Sequence, residues 1–311
     1  LVAKGSELGF DQFIIKEAPA TFAQVSYKGV VKVEETEKAY ILNGEKFKYV
    51  FGKKEGMWLA LEKDGDELLE SPMEYNIFRA PTDNDRNIIR EWKRFDYEHI
   101  CVKVTGIECK NDRDAVSIKA KLRLAPMSQT VLLQLDSEWI VYPDGTVDCK
   151  IDGKKNTECV FLPRFGIKME MPKAFSKVRY YGYGPFESYI DKHHASYLQC
   201  FESSVTALHE DYIKPQENGS HYGCRYVEVS DGTKTVRFDG ESPFGFNASY
   251  YTIEELKTKK HNYELCEADY LTLCVDYKQS GVGSNSCGPE LLPQYRMNDE
   301  EFCWKFRMSF V

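Results

Sequence analysis

Several features that would assign a function directly are missing from this sequence of 311 residues. Its ten cysteines form no C-x-x-C pair and no partnering cysteine and histidine cluster. Structural zinc sites need such ligands about two to four residues apart in paired sets. No G-x-S-x-G sequence occurs either, so the nucleophile turn of the serine hydrolases is absent. We therefore expect neither a zinc site nor a serine nucleophile.

Positive charge and long hydrophobic runs are also scarce. The chain has 41 Lys and Arg against 49 Asp and Glu, for a formal net charge of -8, and its basic residues are scattered among acidic ones. Nucleic-acid binding needs clustered Lys and Arg. No apolar run approaches the ~18 residues of a membrane span, and the first residues, LVAKGSELGF, lack the apolar core of a signal peptide. We expect a cytoplasmic protein with reduced thiols that binds neither nucleic acid nor membranes.

Most cysteines stand in apolar segments with the alternation of strands. We expect Cys149, Cys159, Cys274 and Cys303 to be buried free thiols that act as small hydrophobic residues.

Short alternating segments separated by turn residues are what the chain has in abundance. Asn43-Gly44 is a strong hairpin signal, and Asp64-Gly65 marks a second turn. Only Asn87 to Tyr97 has clear helical spacing. The predicted strands are Val30 to Thr36, Ala39 to Asn43, Lys46 to Phe51, Trp58 to Glu62, Glu67 to Leu69, Val102 to Cys109, Ala115 to Leu124, Val131 to Val141, Val147 to Ile151, Thr235 to Phe238, Phe244 to Tyr251, Leu271 to Tyr277 and Phe302 to Phe310. This spacing predicts an all-β sandwich of two large sheets.

The first residues have a pattern of their own. Gly9 to Ile15 alternates like a strand, and the segment from Glu17 to Ala23 is rich in Ala and Pro. We interpret this as the last strand of a preceding unit, followed by a linker.

Polar and titratable side chains concentrate between Val178 and Val229, among strand-like segments. This composition indicates a polar cleft on a sheet, and the alternative is a pair of solvated loops with a few buried polar side chains. Glycoside hydrolysis needs a general acid and a nucleophile or base at a defined separation. Glu187 and Glu217 are a candidate pair, but sequence spacing does not give their separation.

Two further segments invite a functional interpretation. Arg79 lies close to Asp83, Asn84 and Asp85, which suits either locking of a loop or polyol binding, and locking is favoured. The Gly281 to Pro289 segment lacks the Lys and the following helix of a phosphate-binding loop. A glycine-rich loop at a strand end fits close approach of backbone to a sugar.

The sequence resembles a known family in five motifs that occur in the family's order. They are Asn76 to Asp85 (NIFRAPTDND), Leu162 to Gly166 (LPRFG), Tyr183 to Tyr189 (YGPFESY), Pro215 to Gly219 (PQENG) and the Gly281 to Pro289 loop. These resemble the C-terminal domain, or small chain, of large bacterial β-galactosidases of glycoside hydrolase family 2. The match covers about residues 25 to 311, residues 17 to 24 are read as a linker, and residues 1 to 16 resemble the end of the family's preceding immunoglobulin-like domain.

The resemblance implies a supersandwich of two large antiparallel sheets of the galactose-mutarotase-like type. It implies a β-galactosidase that hydrolyses terminal β-D-galactosides such as lactose, with catalytic glutamates on a TIM barrel outside these residues. The domain would complete the active-site rim and supply assembly surface for a homo-oligomer. It would need no cofactor itself, while divalent or sodium ions would bind the barrel.

The resemblance also implies the site residues. The loop reaches the substrate in this family, which makes Asn285, Ser286 and Cys287 candidates, although Cys287 stands where the best-studied branch has a Trp. Glu217 and His221 are weaker candidates for substrate contact. The motif residues expected to be structural are Arg79, Asp83, Asn84, Asp85, Arg164, Glu187 and Asn218. No catalytic or metal-ligating residue is expected in this chain.

Two alternatives stay open at the level of sequence. Sugar epimerases share the implied fold and use His and Glu as acid and base, roles that His209, His221 and Glu217 would have to fill. A non-catalytic carbohydrate-binding module is the other alternative.

Overall fold

Antiparallel strands make up most of the chain. The computed structural model describes residues 2–16, 21–22, 28–112, 115–127, 130–283 and 287–310. The strands are β1 Lys32–Glu35, β2 Ala39–Asn43, β3 Phe47–Gly52, β4 Met57–Lys63, β5 Asp66–Glu67, β6 Glu74–Asn76, β7 Ile100–Asn111, β8 Val116–Pro126, β9 Leu133–Val141, β10 Val147–Lys155, β11 Arg164–Pro172, β12 Lys177–Gly184, β13 Tyr197–Ser204, β14 Ser220–Ser230, β15 Thr235–Ser249, β16 Tyr270–Gln279 and β17 Glu301–Phe310. Two short α-helices, α1 Ile89–Arg94 and α2 Ile253–Thr258, accompany them. Every pairing among these strands is antiparallel, which confirms the predicted all-β class.

The smaller sheet is a meander of β1 to β5 in chain order. Its β2–β3 hairpin turns at Asn43-Gly44, where the Gly44 N–H donates to Phe47 O at 3.0 Å. Its β4–β5 turn places Asp64 at φ 52° and Gly65 at φ 86°. Positive φ at both central residues matches the twist of paired strands and favours Asp-Gly. Both predicted turns are therefore confirmed.

The larger sheet has twelve strands and branches at β15. Val236 to Gly240 pairs with β17, whereas Gly245 to Ser249 pairs with β16. One arm continues through β17, β10, β9 and β8 to β7, and the other through β16 and β11 to β6. The prediction of separate strands at 235–238 and 244–251 is wrong, because the chain stays extended where it changes partners and does not turn.

The core lies between the two sheets and is rich in aromatic side chains. Trp58 of the small sheet lies 5.9 Å from Trp139 of the large sheet between ring centroids, and Tyr49 lies 5.6 Å from Phe310. Trp58, Trp139 and Tyr49 are fully buried. Burying such a side chain stabilises the fold by about 1.5–3 kcal/mol, so these contacts fix how the sheets face each other.

Helix α1 is shorter than the predicted 87–97 segment. Asp96 adopts φ 47°, a left-handed conformation that ends the helix after Phe95. The helix packs on the large sheet's loops through Trp92, whose Nε1–H donates to Phe161 O at 3.2 Å. Tyr97 OH donates to Val160 O at 2.7 Å, so this segment is tied to the chain that leads into β11.

The N-terminal segment does not form the strand predicted there. Residues 2–16 have no strand assignment, and the Ile15 side chain is 98% exposed. A strand needs a partner for its backbone groups, whereas here the Gln12 side chain bonds to both the N–H and the carbonyl of Leu198. The domain boundaries predicted at 16 and 24 stay predictions.

The structure confirms the predicted burial of three of the four cysteines. All ten are free thiols, and Cys149, Cys159 and Cys274 are buried as expected. Cys303 is exposed, because it belongs to the alternate, outward-facing side of β17. No described helix is both long and apolar enough to cross a membrane.

Candidate functional site

A buried charge network lies where β11 begins and β16 ends. Arg164 donates through Nε to Asp276 Oδ1 at 3.0 Å and through Nη2 to Asp276 Oδ2, while its Nη1 lies 3.4 Å from Glu217 Oε1. All three residues are almost completely buried. Although burial disfavours the cation, Asp276 and Glu217 raise the pKa of Arg164 well above its ordinary value. The guanidinium therefore stays charged and holds two elements together.

The two glutamates considered as a glycosidase pair are both occupied. Besides Arg164, Glu217 Oε1 accepts from Gln279 Nε2 at 3.2 Å and from Ser220 Oγ at 3.3 Å. Glu187 accepts from Lys192 Nζ and Tyr212 OH and from the Gly219 N–H at 2.9 Å. A general acid or base must lie within hydrogen-bond reach of its substrate, whereas both carboxylates are buried, with Glu187 8% and Glu217 5% exposed. These carboxylates instead organise the loop that precedes β14.

Arg79 locks its own loop through Asp85 and not through Asp83. Its Nη1 and Nη2 donate to Asp85 Oδ2 at 2.6 Å and Oδ1 at 3.0 Å, and Arg79 is fully buried. The Arg79 guanidinium also lies over the Trp92 ring at 5.3 Å. Asp85 additionally accepts from the Thr82 N–H at 2.7 Å. An ion pair with two parallel hydrogen bonds fixes the relative orientation of the two side chains, here those of Arg79 and Asp85.

The residues between Arg79 and Asp85 point to neighbouring loops. Asp83 is exposed and forms an ion pair with Lys214, and its backbone N–H donates to Gln216 Oε1 at 3.1 Å. Asn84 donates through Nδ2 to the carbonyl of Val282. This loop is therefore joined both to the segment before β14 and to the glycine-rich segment after β16.

Asp191 and Asn84 hold the beginning of the glycine-rich loop. Asp191, which sequence reasoning did not select, accepts the N–H groups of Val282 at 3.0 Å and Gly283 at 2.8 Å. A Cβ on Gly281 would lie 2.4 Å from the Asp191 carboxylate, so this approach requires glycine. In the sequence, only the two glycines at 281 and 283 indicate that another group approaches the backbone closely here, and they do not identify Asp191 as that group.

The base of the same loop is closed by hydrogen bonds. The Gly281 N–H donates to Tyr295 O at 2.9 Å, and the buried Ser280 hydroxyl donates to Leu162 O at 2.6 Å and accepts the Met297 N–H at 2.8 Å. The two ends of the loop, at Gly281 and Tyr295, are therefore held next to each other.

Three residues of this loop were predicted to bind substrate. Asn285 and Ser286 lie outside the described residues, and Cys287 is exposed. Substrate contact by all three remains a prediction.

His221 and Asn218 lie inside the fold. His221 stacks on the ring of Phe246 and contacts the tilted ring of Tyr180, and its Nδ1–H donates to Tyr183 O at 3.2 Å. Burial lowers the pKa of His221 to about 4. Asn218 bonds to the backbone of Glu210 and Gln216. Both residues thus hold the segments around β14 in place.

The arrangement as a whole is suited to holding loops in place. Within the described ranges, no group of three or more His, Cys, Asp or Glu side chains could hold a metal ion. Burial also lowers the pKa of His209, so both histidines of the epimerase alternative favour the neutral form. Glu217, its third member, is committed to Arg164. The geometry therefore gives that alternative no support.

An antiparallel β-sandwich whose buried ion pairs hold a glycine-rich loop is the class of protein that these observations define. The family model for the beta galactosidase small chain matches residues 43–308. The chain belongs to this family.

Curated relatives agree with the family match. A beta-galactosidase of Actinobacillus pleuropneumoniae is 39% identical over 305 residues, which are 97% of this chain and 30% of that protein. A beta-galactosidase of Staphylococcus xylosus is 35% identical over 98% of this chain and 31% of its own length. The chain thus spans about a third of the length of these relatives.

Solved structures include proteins of similar outline at low identity. The galactose 1-epimerase of Lactobacillus acidophilus aligns with a TM-score of 0.49 and 10% identity, over 92% of this chain and 99% of that one. A putative aldose 1-epimerase of Escherichia coli aligns with a TM-score of 0.46 and 9% identity, over 88% of this chain and 98% of that one.

Proposed function

We propose that this chain acts as the small-chain domain of a larger β-galactosidase that hydrolyses terminal β-D-galactosides such as lactose. The hydrolytic carboxylates belong to another domain of that enzyme. This domain supplies part of the rim of the active site and surface for assembly. The enzyme works in the cytoplasm as a homo-oligomer, and any divalent or sodium ion binds outside this domain.

The observation that carries the proposal is how the acidic side chains of the site are used. Glu187, Glu217 and Asp276 each accept hydrogen bonds from buried or half-buried donors, and Asp191 accepts two backbone N–H groups. Retaining and inverting glycosidases need two carboxyl groups about 5–9.5 Å apart with access to the glycosidic bond. Carboxylates that hold loops in place support a structural role here, with catalysis elsewhere in the enzyme.

The position of the loop supports the rim role. Its first residues are fixed by Asn84 and Asp191, and its base is fixed by Ser280. The described residues on both sides of 284–286 are thus held in place, which supports a role of this loop in positioning a substrate. Asn285, Ser286 and Cys287 follow Gly283 in the sequence and are the proposed substrate contacts.

The complete polypeptide provides the test. We expect it to hydrolyse a nitrophenyl β-D-galactoside, and we expect deletion of the segment homologous to residues 43–308 to abolish that activity. A deletion enzyme with unchanged kcat/KM would contradict the role of this domain. A complete polypeptide that cleaves no β-galactoside would contradict the activity itself.

A further inference from the structure

A cluster of four aromatic rings lies beside the beginning of the glycine-rich loop. Tyr183 lies near the end of β12, Tyr222 lies on β14, and His193 and His194 follow Asp191 in the connection to β13. The ring centroids of His193 lie 4.9 Å from Tyr183, 5.3 Å from Tyr222 and 5.2 Å from His194. Tyr183 and Tyr222 are stacked at 5.9 Å, with an angle of 13° between the rings.

The inner rings of the cluster are fixed by the backbone. His193 Nδ1–H donates to Tyr189 O at 2.9 Å, which leaves the lone pair of Nε2 as an acceptor. The Tyr222 N–H donates to Ser188 Oγ at 2.9 Å. A Cβ on Gly223, at φ 67°, would lie 3.0 Å from the Tyr183 ring. The rings are therefore held in place before any ligand arrives.

The cluster adjoins the beginning of the loop. Asp191, two residues before His193, holds the N–H groups of Val282 and Gly283. His194 is exposed, and the other three rings are half-buried, so the cluster opens to solvent on the His194 side.

The chemistry of the cluster points to a neutral ligand. The fixed charges beside it are already paired, since Asp191 holds backbone N–H groups and Lys192 is bonded to Glu187 and Tyr212. What remains is flat aromatic faces bordered by hydroxyl and imidazole groups. A sugar ring has an apolar C–H face and hydroxyl groups around its edge, which match such a surface. A charged ligand would find no counter-ion among these groups.

We propose that Tyr183, His193, His194 and Tyr222 form a saccharide-binding platform, on which a neutral hexopyranoside stacks with its C–H face on the exposed imidazole of His194. The choice of a β-galactoside as ligand rests on the proposed function. The platform is formed within this chain, so the 311-residue chain binds the sugar by itself.

NMR signals of the six histidine side chains test this directly. On titration of the 311-residue chain with methyl β-D-galactopyranoside, the imidazole signals of His193 and His194 shift in a saturable way, whereas those of His99 and His261 do not move. His194→Ala weakens binding by about tenfold, the loss expected from one stacked ring. Because His194 is exposed, the variant keeps the wild-type melting temperature.

His261→Ala is the matched control. His261 is also stacked on a tyrosine, with 5.0 Å between its ring centroid and that of Tyr263, but it lies in the connection between α2 and β16. We expect His261→Ala to bind the sugar like the wild type. Absence of saturable shifts at His193 and His194, equal shifts at His261, or unchanged affinity in His194→Ala would each overturn the proposal.

The two proposals fail separately. Hydrolysis by the complete polypeptide together with unresponsive His193 and His194 signals would reject the platform alone. Responsive signals together with a complete polypeptide that cleaves no β-galactoside would reject the proposed hydrolase and leave a sugar-binding platform.

Discussion

At the scale of residues, the site depends on arginines that are buried with their acidic partners. Arg79 pairs with Asp85 six positions away, and Arg164 pairs with Asp276, which is 112 positions away. A buried ion pair contributes little net stability, but removing one partner leaves an uncompensated charge. These arginines are therefore more important for the shape of the loops than for the overall stability of the sandwich.

Replacing Arg164 tests whether the loss of one partner of a buried ion pair destabilises the fold. Arg164→Met leaves Asp276 and Glu217 buried together without their cation, so we expect the free energy of unfolding to fall by about 3–5 kcal/mol. Urea unfolding followed by tryptophan fluorescence measures the change.

Arg94 is the matched control for Arg164. Its pair with Glu91 is on the surface, with the Arg94 side chain 72% exposed, and Arg94→Met should change the free energy of unfolding by no more than about 0.5 kcal/mol. A loss below about 1 kcal/mol in Arg164→Met would show that the network does not hold the site together.

Sequence reasoning reached some of these residues and missed others for a physical reason. The partner of Arg79 is in the same loop, so proximity along the chain restricted the choice to Asp83 or Asp85. The partners of Arg164 and of the 281–283 segment lie on other strands and loops, and sequence separation carries no information about such contacts. Asp191 was missed for this reason, because only the fold brings it beside Val282 and Gly283.

At the scale of elements, local turn chemistry was predictable and changes of strand partner were not. Asn43-Gly44 and Asp64-Gly65 specify their turns through their own backbone preferences. β15, in contrast, stays extended through Ser242-Pro243 while its pairing changes from β17 to β16. Gly240 and Pro243 look like turn residues in the sequence, but here they mark the point where the large sheet branches.

The glycine-rich loop is the element whose order matters most for the proposed function. Asp191→Ala removes the acceptor of two backbone N–H groups, and a hydrogen bond to a charged group is worth about 1.5–3 kcal/mol. We expect amide exchange at Val282 and Gly283 to accelerate by roughly tenfold or more, while the amides of β16 keep their protection. Hydrogen exchange followed by NMR or mass spectrometry gives the rates.

Asp211→Ala is the control for this exchange experiment. Asp211 accepts one side-chain hydrogen bond, from Asn262, and it is exposed. Its loss should leave the rates at Val282 and Gly283 unchanged. Identical rates in Asp191→Ala and the wild type would mean that the loop is held by other contacts.

At the scale of the whole molecule, the family was identifiable from five short motifs because all of them meet in one place. Arg79, Arg164, Glu187, Glu217 and the segment that begins at Gly281 are far apart in the sequence and adjoin one another in the fold. Arg164 bonds to Glu217, and Glu187 accepts the Gly219 N–H. The Asp83 N–H donates to Gln216 and Asn84 donates to Val282 O, so direct contacts join the five motifs into a single structural unit. The division of labour with the rest of a larger enzyme stays a proposal, since the chain spans about 30% of its curated relatives.

The most direct test of the central claim is a hydrolysis assay of the 311-residue chain on a nitrophenyl β-D-galactoside, beside the complete polypeptide. We predict turnover by the complete polypeptide and none by the 311-residue chain, because Glu187 and Glu217 are bound to their structural partners. Turnover by the 311-residue chain that disappears in Glu217→Gln would contradict the claim and place the catalytic carboxylates in this domain.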